Sequence, residues 1–182
     1  MHLPLIRNFY SNIFTRSLCL IFAVVFGAFT SSKSLALPWN DMNKLGESTL
    51  SVAFWDIYDA TLYSADTRFD STKPFALKLT YLRDFKKKNL IKETKKQLKE
   101  LKLFDHRNNE QWLQSLSDIW VDVKKGDSIT FYSDINGAAA FYYNDTYLGN
   151  IQDPEFAKRF AAIWLSELTS QPEMRLELLG LR

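Results

Sequence analysis

The spacing of the hydrophobic residues changes three times along this chain, and that order constrains the fold more than any other feature of the sequence. Residues 50–64 and 75–82 are rich in β-branched and aromatic side chains with a two-residue period, which predicts two strands. Residues 86–103 and 109–118 have the period of amphipathic helices. Three short strands follow at residues 127–132, 138–143 and 146–151, and two helices follow them, one beginning after Asp153 and one at residues 172–179.

The connections between the last three strands predict an antiparallel meander. Asn136-Gly137 and Asn144-Asp145 are dipeptides that tolerate the left-handed backbone of tight hairpins. Strands joined by hairpins, with helices grouped in blocks, favour an α+β domain in which an antiparallel sheet packs against a layer of helices. Both faces of residues 50–64 are largely apolar, so we expect both to be covered.

Residues 1–36 are typical of a secretory signal peptide. Arg7 and Arg16 precede an apolar core of 12 residues at positions 18–29, and Ser34-Leu35-Ala36 matches a small-x-small cleavage site. A membrane-spanning helix needs about 20 residues, so an uncleaved anchor is the weaker alternative. We therefore predict cleavage near Ala36, one domain at residues 37–182, and a periplasmic location in a bacterium with two membranes, or secretion otherwise.

The composition excludes several classes of function. Cys19, the only cysteine, lies in the predicted leader, and the two histidines are too few for a His/Cys zinc site. Three of the 23 basic residues lie in the leader, which leaves 20 basic and 21 acidic residues in the domain and no electrostatic argument for nucleic acid. Because no glycine-rich phosphate loop is present either, we predict no cofactor and no metal.

The helix at residues 86–103 carries lysines on one side. Two interpretations fit this pattern: a solvated helix face, or a basic surface that makes peripheral contact with anionic lipid headgroups. Glu93 and Glu100 interrupt the lysines, and the opposite face is needed for the core, so the pattern favours the solvated face.

Polar side chains interrupt the first two predicted strands and form the candidate ligand site. Tyr81 and Arg83 are two residues apart, so on one strand they would project to the same face. An arginine can bind a ligand carboxylate through two hydrogen bonds while a tyrosine donates another. The five candidate ligand-binding residues are Asp56, Tyr58, Tyr63, Tyr81 and Arg83.

A purely structural role is the alternative for Arg83. Its guanidinium would then pair with Asp56 or Asp59, or reach water at the end of the strand. The sequence favours this structural role, and it assigns no catalytic residue.

Several segments spread over the domain resemble the exported chalcone isomerase-like proteins of bacteria. They are residues 54–63 (FWDIYDATLY), 79–85 (LTYLRDF), Gly126-Asp127, 147–151 (YLGNI), 156–165 (FAKRFAAIWL) and 178–180 (LLG). The resemblance implies the chalcone isomerase fold, in which a large antiparallel sheet packs against helices and a ligand cleft lies between them. That order of elements agrees with the one predicted from hydrophobic spacing.

The resemblance does not extend to the catalytic residues of plant chalcone isomerases. The family's threonine position falls near Ala53, its tyrosine near Asn89 or Leu90, and its asparagine near Gln97. The neighbourhood of its arginine, residues 44–47, contains no arginine. Other branches of the fold bind fatty acids without isomerase activity, so the resemblance implies a similar role here, although Arg83 is not the arginine that those relatives use.

Three functional hypotheses follow. The first is non-catalytic binding of a small apolar ligand such as a fatty acid. The second is an intramolecular lyase, that is an isomerase with altered residues, in which Tyr58 or Tyr81 acts as the acid and Arg83 stabilises an oxyanion. The third is a module that binds other envelope proteins through exposed aromatic side chains.

Overall fold

The strands form a single sheet in which neighbours in space are neighbours in sequence. The computed structural model describes residues 36–182, except for the side chains of residues 106 and 107; the predicted leader, apart from Ala36, lies outside the described residues. All five strand pairs are antiparallel. The elements in chain order are β1 (Asn43–Val52), β2 (Trp55–Ser64), β3 (Phe75–Tyr81), α1 (Lys87–Glu100), α2 (His106–Ile119), β4 (Ser128–Ser133), β5 (Ala139–Tyr143), β6 (Thr146–Ile151), α3 (Pro154–Leu165) and α4 (Pro172–Leu178).

The core lies between one face of this sheet and the helices. Leu62, Leu77, Phe131 and Phe141 are register partners on β2 to β5, so their side chains project to the same face. Phe160 of α3 packs on that face, with its ring centroid 5.1 Å from that of Phe131. The structure therefore confirms the predicted α+β architecture of an antiparallel sheet against a helical layer.

The chemistry of its first residues determines where α3 begins. The Asp153 carboxylate accepts a hydrogen bond from the backbone N–H of Glu155 at 2.9 Å, and Pro154 occupies the first turn. The other Asp153 oxygen accepts from the indole Nε1 of Trp112 at 2.9 Å. The cap predicted at Asp153 is confirmed, and it also ties α2 to α3.

The prediction of one strand over residues 50–64 is wrong. A hairpin occupies this region: β1 ends at Val52, β2 begins at Trp55, and these two residues pair across the turn. Ala53 adopts a positive φ of 56° there. No glycine, asparagine, aspartate or proline marks the turn, which is why the sequence pattern runs through it unbroken.

The expectation that both faces of residues 50–64 are covered is also wrong at the hairpin end. Val52, Phe54 and Trp55 are exposed. Farther along the sheet, the face opposite the helices is partly covered by residues that precede β1. Trp39 is buried there, with its ring centroid 4.8 Å from that of Tyr142.

Candidate functional site

Tyr58 and Tyr81 form the centre of the predicted ligand site. They are register partners on β2 and β3, and both project toward the helices. Their ring centroids are 6.1 Å apart in an edge-to-face arrangement. The Tyr58 hydroxyl accepts a hydrogen bond from the indole Nε1 of Trp164, on α3, at 2.9 Å. Within residues 36–182, no hydrogen bond involves the Tyr81 hydroxyl.

Burial determines the protonation of this pair. Removal from water raises the pKa of Tyr58 to about 12; the Trp164 hydrogen bond opposes this shift, and the negative charge of Glu93 adds to it. Burial also raises the pKa of Tyr81, and the neighbouring Tyr58 contributes to that shift. Both phenols therefore keep their protons at neutral pH, so neither can act as a base.

Arg83 lies outside this pair. Strand β3 ends at Tyr81, so the expectation that Arg83 shares a strand face with Tyr81 is wrong. Arg83 is exposed, and its guanidinium carbon lies 4.1 Å from the ring centroid of Trp55, which is a cation–π contact. No ion pair between Arg83 and Asp56 or Asp59 is present in the described part of the chain.

Asp56 and Tyr63 are also separate from the two tyrosines. Asp56 is exposed near the β1–β2 turn and accepts a hydrogen bond from the Ser51 hydroxyl at 2.6 Å. Tyr63 is an odd number of residues from Tyr58 on β2, so it projects to the opposite face of the sheet. Of the five candidates, the fold brings together Tyr58 and Tyr81; a ligand-binding role for any of them stays a prediction.

Aromatic rings fill the interior next to the tyrosine pair. Trp164 packs on Phe160 with centroids 5.3 Å apart, and Phe160 packs in turn on Phe141 at 5.5 Å and Trp120 at 6.0 Å. These contacts form a continuous aromatic layer between α3 and the sheet.

A cleft lies instead between α3 and the connection from α1 to α2. We call it the α3 cleft; its volume is about 510 Å³, and it is lined by Lys102, Leu103, Phe104, Asp105, Glu155, Lys158, Arg159, Ala162 and Ser166. Arg159, on α3, links the two sides of the cleft, because its Nη1 donates to the Leu103 carbonyl at 3.1 Å. Its Nε lies 3.5 Å from an oxygen of Glu155, which is on the same helix.

Local backbone geometry positions the rim of this cleft. Lys102 follows the last turn of α1 with a φ of 56°, and its N–H bonds to the Lys99 carbonyl at 3.0 Å. The N–H of Leu103 reaches back to the Leu98 carbonyl at 2.9 Å. This pair of bonds is a Schellman motif, which usually has glycine at the left-handed position. Here a lysine occupies that position and extends from the rim.

Sequence reasoning missed the α3 cleft. Its apolar residues Leu103 and Phe104 follow the observed end of α1 at Glu100, although the predicted helix extends to residue 103, so they lie outside the buried stripe of that helix. Their position outside that stripe was the available signal. A second cleft of about 460 Å³ lies beside the chain between β2 and β3 and is lined by Asn43 and residues 65–70.

The lysines of α1 are distributed between ion pairs and solvent. Lys95 pairs with Glu110 at 2.6 Å, and Lys96 lies 3.4 Å from Glu93 and 3.7 Å from Glu100. Lys92 is exposed, as the solvated interpretation of this face requires. Contact between this face and a membrane stays a prediction.

Two features are absent from the described part of the chain. No group of three His, Cys, Asp or Glu side chains that could hold a metal ion occurs within residues 36–182. In the same range no helix has both the length and the apolar composition needed to cross a membrane.

Comparison with known proteins places this architecture in a family. The chain resembles the solved structure of a fatty-acid binding protein from Arabidopsis thaliana with a TM-score of 0.62 and 11% sequence identity, over 78% of this chain and 88% of that one. At that identity the likeness establishes the fold alone. No curated protein sequence matches the chain. The family model described as chalcone isomerase-like matches residues 41–180, and the chain therefore belongs to the chalcone isomerase-like family.

Proposed function

We propose that this protein binds a fatty-acid-like ligand in the α3 cleft without catalysing its conversion. The observation that carries the proposal is the combination of an apolar wall and a cationic rim in one cleft of about 510 Å³. Ligand pockets in proteins are typically about 300–1,000 Å³ and mainly apolar, with a few polar groups that orient the ligand.

The apolar wall suits an alkyl chain. Leu103, Phe104 and Ala162 line the cleft, and all three are partly buried against the core. Each Å² of alkyl surface that is removed from water contributes about 25 cal/mol. Burial of the alkyl chain would therefore supply most of the binding free energy of a fatty acid.

The rim suits a carboxylate. Lys102 and Lys158 both line the cleft, and neither takes part in an ion pair within the described residues. Glu155, by contrast, lies next to Arg159, so its charge is partly balanced. A carboxylate between the two lysines would gain charge-assisted hydrogen bonds, while its alkyl chain remained on the apolar wall.

The isomerase alternative has less support. It requires an acid and an oxyanion-stabilising cation at one site, but Tyr81 is buried in the core whereas Arg83 stacks on Trp55 at the surface. Burial raises the pKa of both Tyr58 and Tyr81, which makes them weaker acids.

Export belongs to the same proposal. The leader pattern of residues 1–36 supports cleavage after Ala36 and a periplasmic or secreted protein. Mass spectrometry of the protein recovered from an envelope fraction is expected to give a chain that begins at Leu37. An intact N-terminus on the recovered protein would contradict this part of the proposal.

Displacement of a fluorescent fatty acid by unlabelled saturated fatty acids tests the ligand and its place together. Ala162→Trp fills the cleft and is expected to abolish binding, and Lys102→Glu with Lys158→Glu is expected to weaken it at least about tenfold by removing two charge-assisted contacts. Lys92→Glu, at an exposed α1 lysine outside the cleft, is the matched control and should bind like the unmodified protein.

Tyr81→Phe separates the cleft from the tyrosine pair. If the head group binds at Tyr58 and Tyr81, Tyr81→Phe should weaken binding and Ala162→Trp should not. Circular dichroism of each variant verifies folding. Unchanged binding in the Ala162→Trp protein would overturn the assignment to the α3 cleft, and no binding of any fatty acid to the unmodified protein would overturn the proposed function.

A further inference from the structure

The turn between β1 and β2 exposes four consecutive apolar residues. Phe54 is 97% exposed, Trp55 59% and Val52 55%, and Ala53 between them is exposed as well. We call residues 52–55 the apolar tip. Single exposed apolar side chains are ordinary, but a contiguous cluster at a loop end is typical of an interaction site.

The turn itself is unfavourable for these residues. Ala53 has a φ of 56°, in the left-handed region where glycine, asparagine and aspartate are favoured. Glycine at position 53 and a polar residue at position 54 would suit both the backbone and the solvent better. Where a local rule is broken at an exposed position, a functional reason is the expected explanation.

Cations lie at the same end of the sheet as the apolar tip. The guanidinium of Arg83 stacks on Trp55 at 4.1 Å. The connection that contains Lys124 and Lys125 reaches the same end of the sheet, because the Lys125 N–H donates to the Asp84 carboxylate at 2.9 Å. Among the described residues, no ion pair uses Arg83, Lys124 or Lys125.

The aspartates at this end are already engaged by the protein. Asp56 accepts from Ser51, and Asp84 accepts from the Lys125 backbone. Asp122 pairs with Lys86 at 2.9 Å, and Asp127 accepts from Tyr143 at 2.7 Å. A hydrogen bond from a neutral donor does not cancel the charge of a carboxylate, so this end carries charges of both signs. Arg83, Lys124 and Lys125, which form no ion pair among the described residues, are the cations available to the phosphates of an anionic surface.

The size of the apolar tip distinguishes a membrane from a protein partner. An aromatic side chain contributes about 150–250 Å² when buried, so Phe54 and Trp55 together fall short of the roughly 800 Å² per partner in a stable protein interface. A bilayer needs no such matched area. Aromatic rings at the level of the headgroups, with cations beside them, are typical of interfacial binding.

We propose that the apolar tip inserts into the headgroup region of a phospholipid bilayer that contains anionic lipid, with Arg83, Lys124 and Lys125 next to the phosphates. The domain as a whole is close to neutral, with 20 basic and 21 acidic residues after the leader, so binding depends on this one end of the molecule. The contact is reversible, because one small tip buries little surface. The inference does not depend on the α3 cleft or its ligand.

Flotation with vesicles tests the inference. The vesicles contain phosphatidylcholine alone or phosphatidylcholine with phosphatidylglycerol, and all proteins are produced in the same exporting host with N-termini verified by mass spectrometry. Phe54→Ser is expected to weaken binding to the anionic vesicles about tenfold, because a phenyl ring is no longer buried. The matched control is Ile135→Ser, an exposed apolar residue (66%) in the β4–β5 connection at the opposite end of the sheet, which should bind like the unmodified protein.

The cations are tested separately. The double variant Lys124→Gln, Lys125→Gln is expected to lose several-fold in binding to anionic vesicles and little in binding to phosphatidylcholine alone, since each lysine near an anionic surface contributes modestly. Equal binding of the Phe54→Ser and Ile135→Ser proteins, or no vesicle binding by the unmodified protein, would overturn the inference. Capture of an envelope protein that requires Phe54, without vesicle binding, would likewise overturn it in favour of a protein partner.

Discussion

The β1–β2 and β5–β6 hairpins lie at the two edges of the sheet, and both have two-residue turns at the same end, yet their turns differ in chemistry. At the β5–β6 turn, Asn144 and Asp145 have φ values of 45° and 66°, the pattern of a type I′ turn. At the β1–β2 turn, Ala53 alone has a positive φ, and Phe54 is fully exposed. The β5–β6 turn has the residues that its backbone favours, and the β1–β2 turn does not.

Helices also pack against the two edge strands in different ways. On β1, Gly46 lies against the backbone of α4, where a Cβ would be 1.9 Å from the Glu177 carbonyl oxygen. On β6, Gly149 lies against the Ile119 side chain of α2, where a Cβ would be 3.0 Å from Cγ1. Backbone cannot yield as a side chain can, so the β1 edge is fixed firmly at its helix while its turn is unfavourable.

Along this one hairpin, the residue that fixes the strand to its helix is separate from the apolar tip to which we assign a membrane contact. Gly46 of β1 lies where α4 packs, and the apolar tip lies at the opposite end of the same strand. A firmly held strand can carry an unfavourable turn at a small cost in the free energy of unfolding.

Gly46→Ala should have the largest effect. The new methyl group would overlap the Glu177 carbonyl, so α4 must shift away from β1, and we expect a loss of about 3 kcal/mol in the free energy of unfolding. Urea denaturation followed by circular dichroism measures the loss. Gly149→Ala is the matched control; the Ile119 side chain can rotate, so its effect should stay within about 1 kcal/mol. Equal losses in the two proteins would contradict the difference between the edges.

Asn144→Ala should have the next largest effect. The Asn144 side chain accepts from the Ser128 N–H at 2.8 Å and donates to Asp127 at 2.9 Å, and its backbone is left-handed. Losing these bonds and placing alanine at positive φ should lower the free energy of unfolding by about 1–2 kcal/mol. Asn144→Gly, which removes the bonds and permits the backbone, should lose less. A larger loss for glycine than for alanine would show that backbone conformation is not the issue here.

The same contrast explains what could be predicted from the sequence. The β5–β6 hairpin was predictable because Asn144-Asp145 is a turn signal, and the start of α3 was predictable because Asp153 and Pro154 are cap residues. The β1–β2 turn was not, because Ala53-Phe54 continues the apolar pattern of the flanking strands.

For the candidate site too, one part could be predicted from the sequence and another could not. Tyr58 and Tyr81 project to one face because a two-residue period governs each strand, and antiparallel register makes them partners. The position of Arg83 depended on where β3 ends, and the α3 cleft depended on contacts between elements far apart in sequence, such as Arg159 with Leu103. No local pattern encodes such contacts.

Ala53→Gly should raise the free energy of unfolding, whereas Asn144→Ala at the other turn should lower it. Removing the strain of an alanine in the left-handed conformation adds about 1–2 kcal/mol to the free energy of unfolding. The greater flexibility of glycine in the unfolded chain subtracts about 0.4–1 kcal/mol from that gain. The net expectation is a gain of about 0.5–1 kcal/mol, visible as a higher denaturation midpoint in urea. The vesicle binding of this variant should be unchanged, because Phe54 remains. A loss of stability would mean that the φ of 56° at Ala53 carries no strain.

The pH dependence of stability should show the smallest effect. Hydrogen bonds from Asn144, the Lys124 N–H and Tyr143 hold the pKa of the Asp127 carboxyl below its ordinary value of 3.8. Since the folded protein favours the charged form, this carboxylate stabilises the fold above pH 3.8, and the contribution disappears as the pH falls through the lower folded value. Urea midpoints measured from about pH 6 to about pH 3 should therefore fall less steeply for Asp127→Asn than for the unmodified protein. Because Asp127 is accessible to solvent, the difference should be modest; identical slopes would show that these hydrogen bonds do not favour the charged carboxylate at the β5–β6 hairpin.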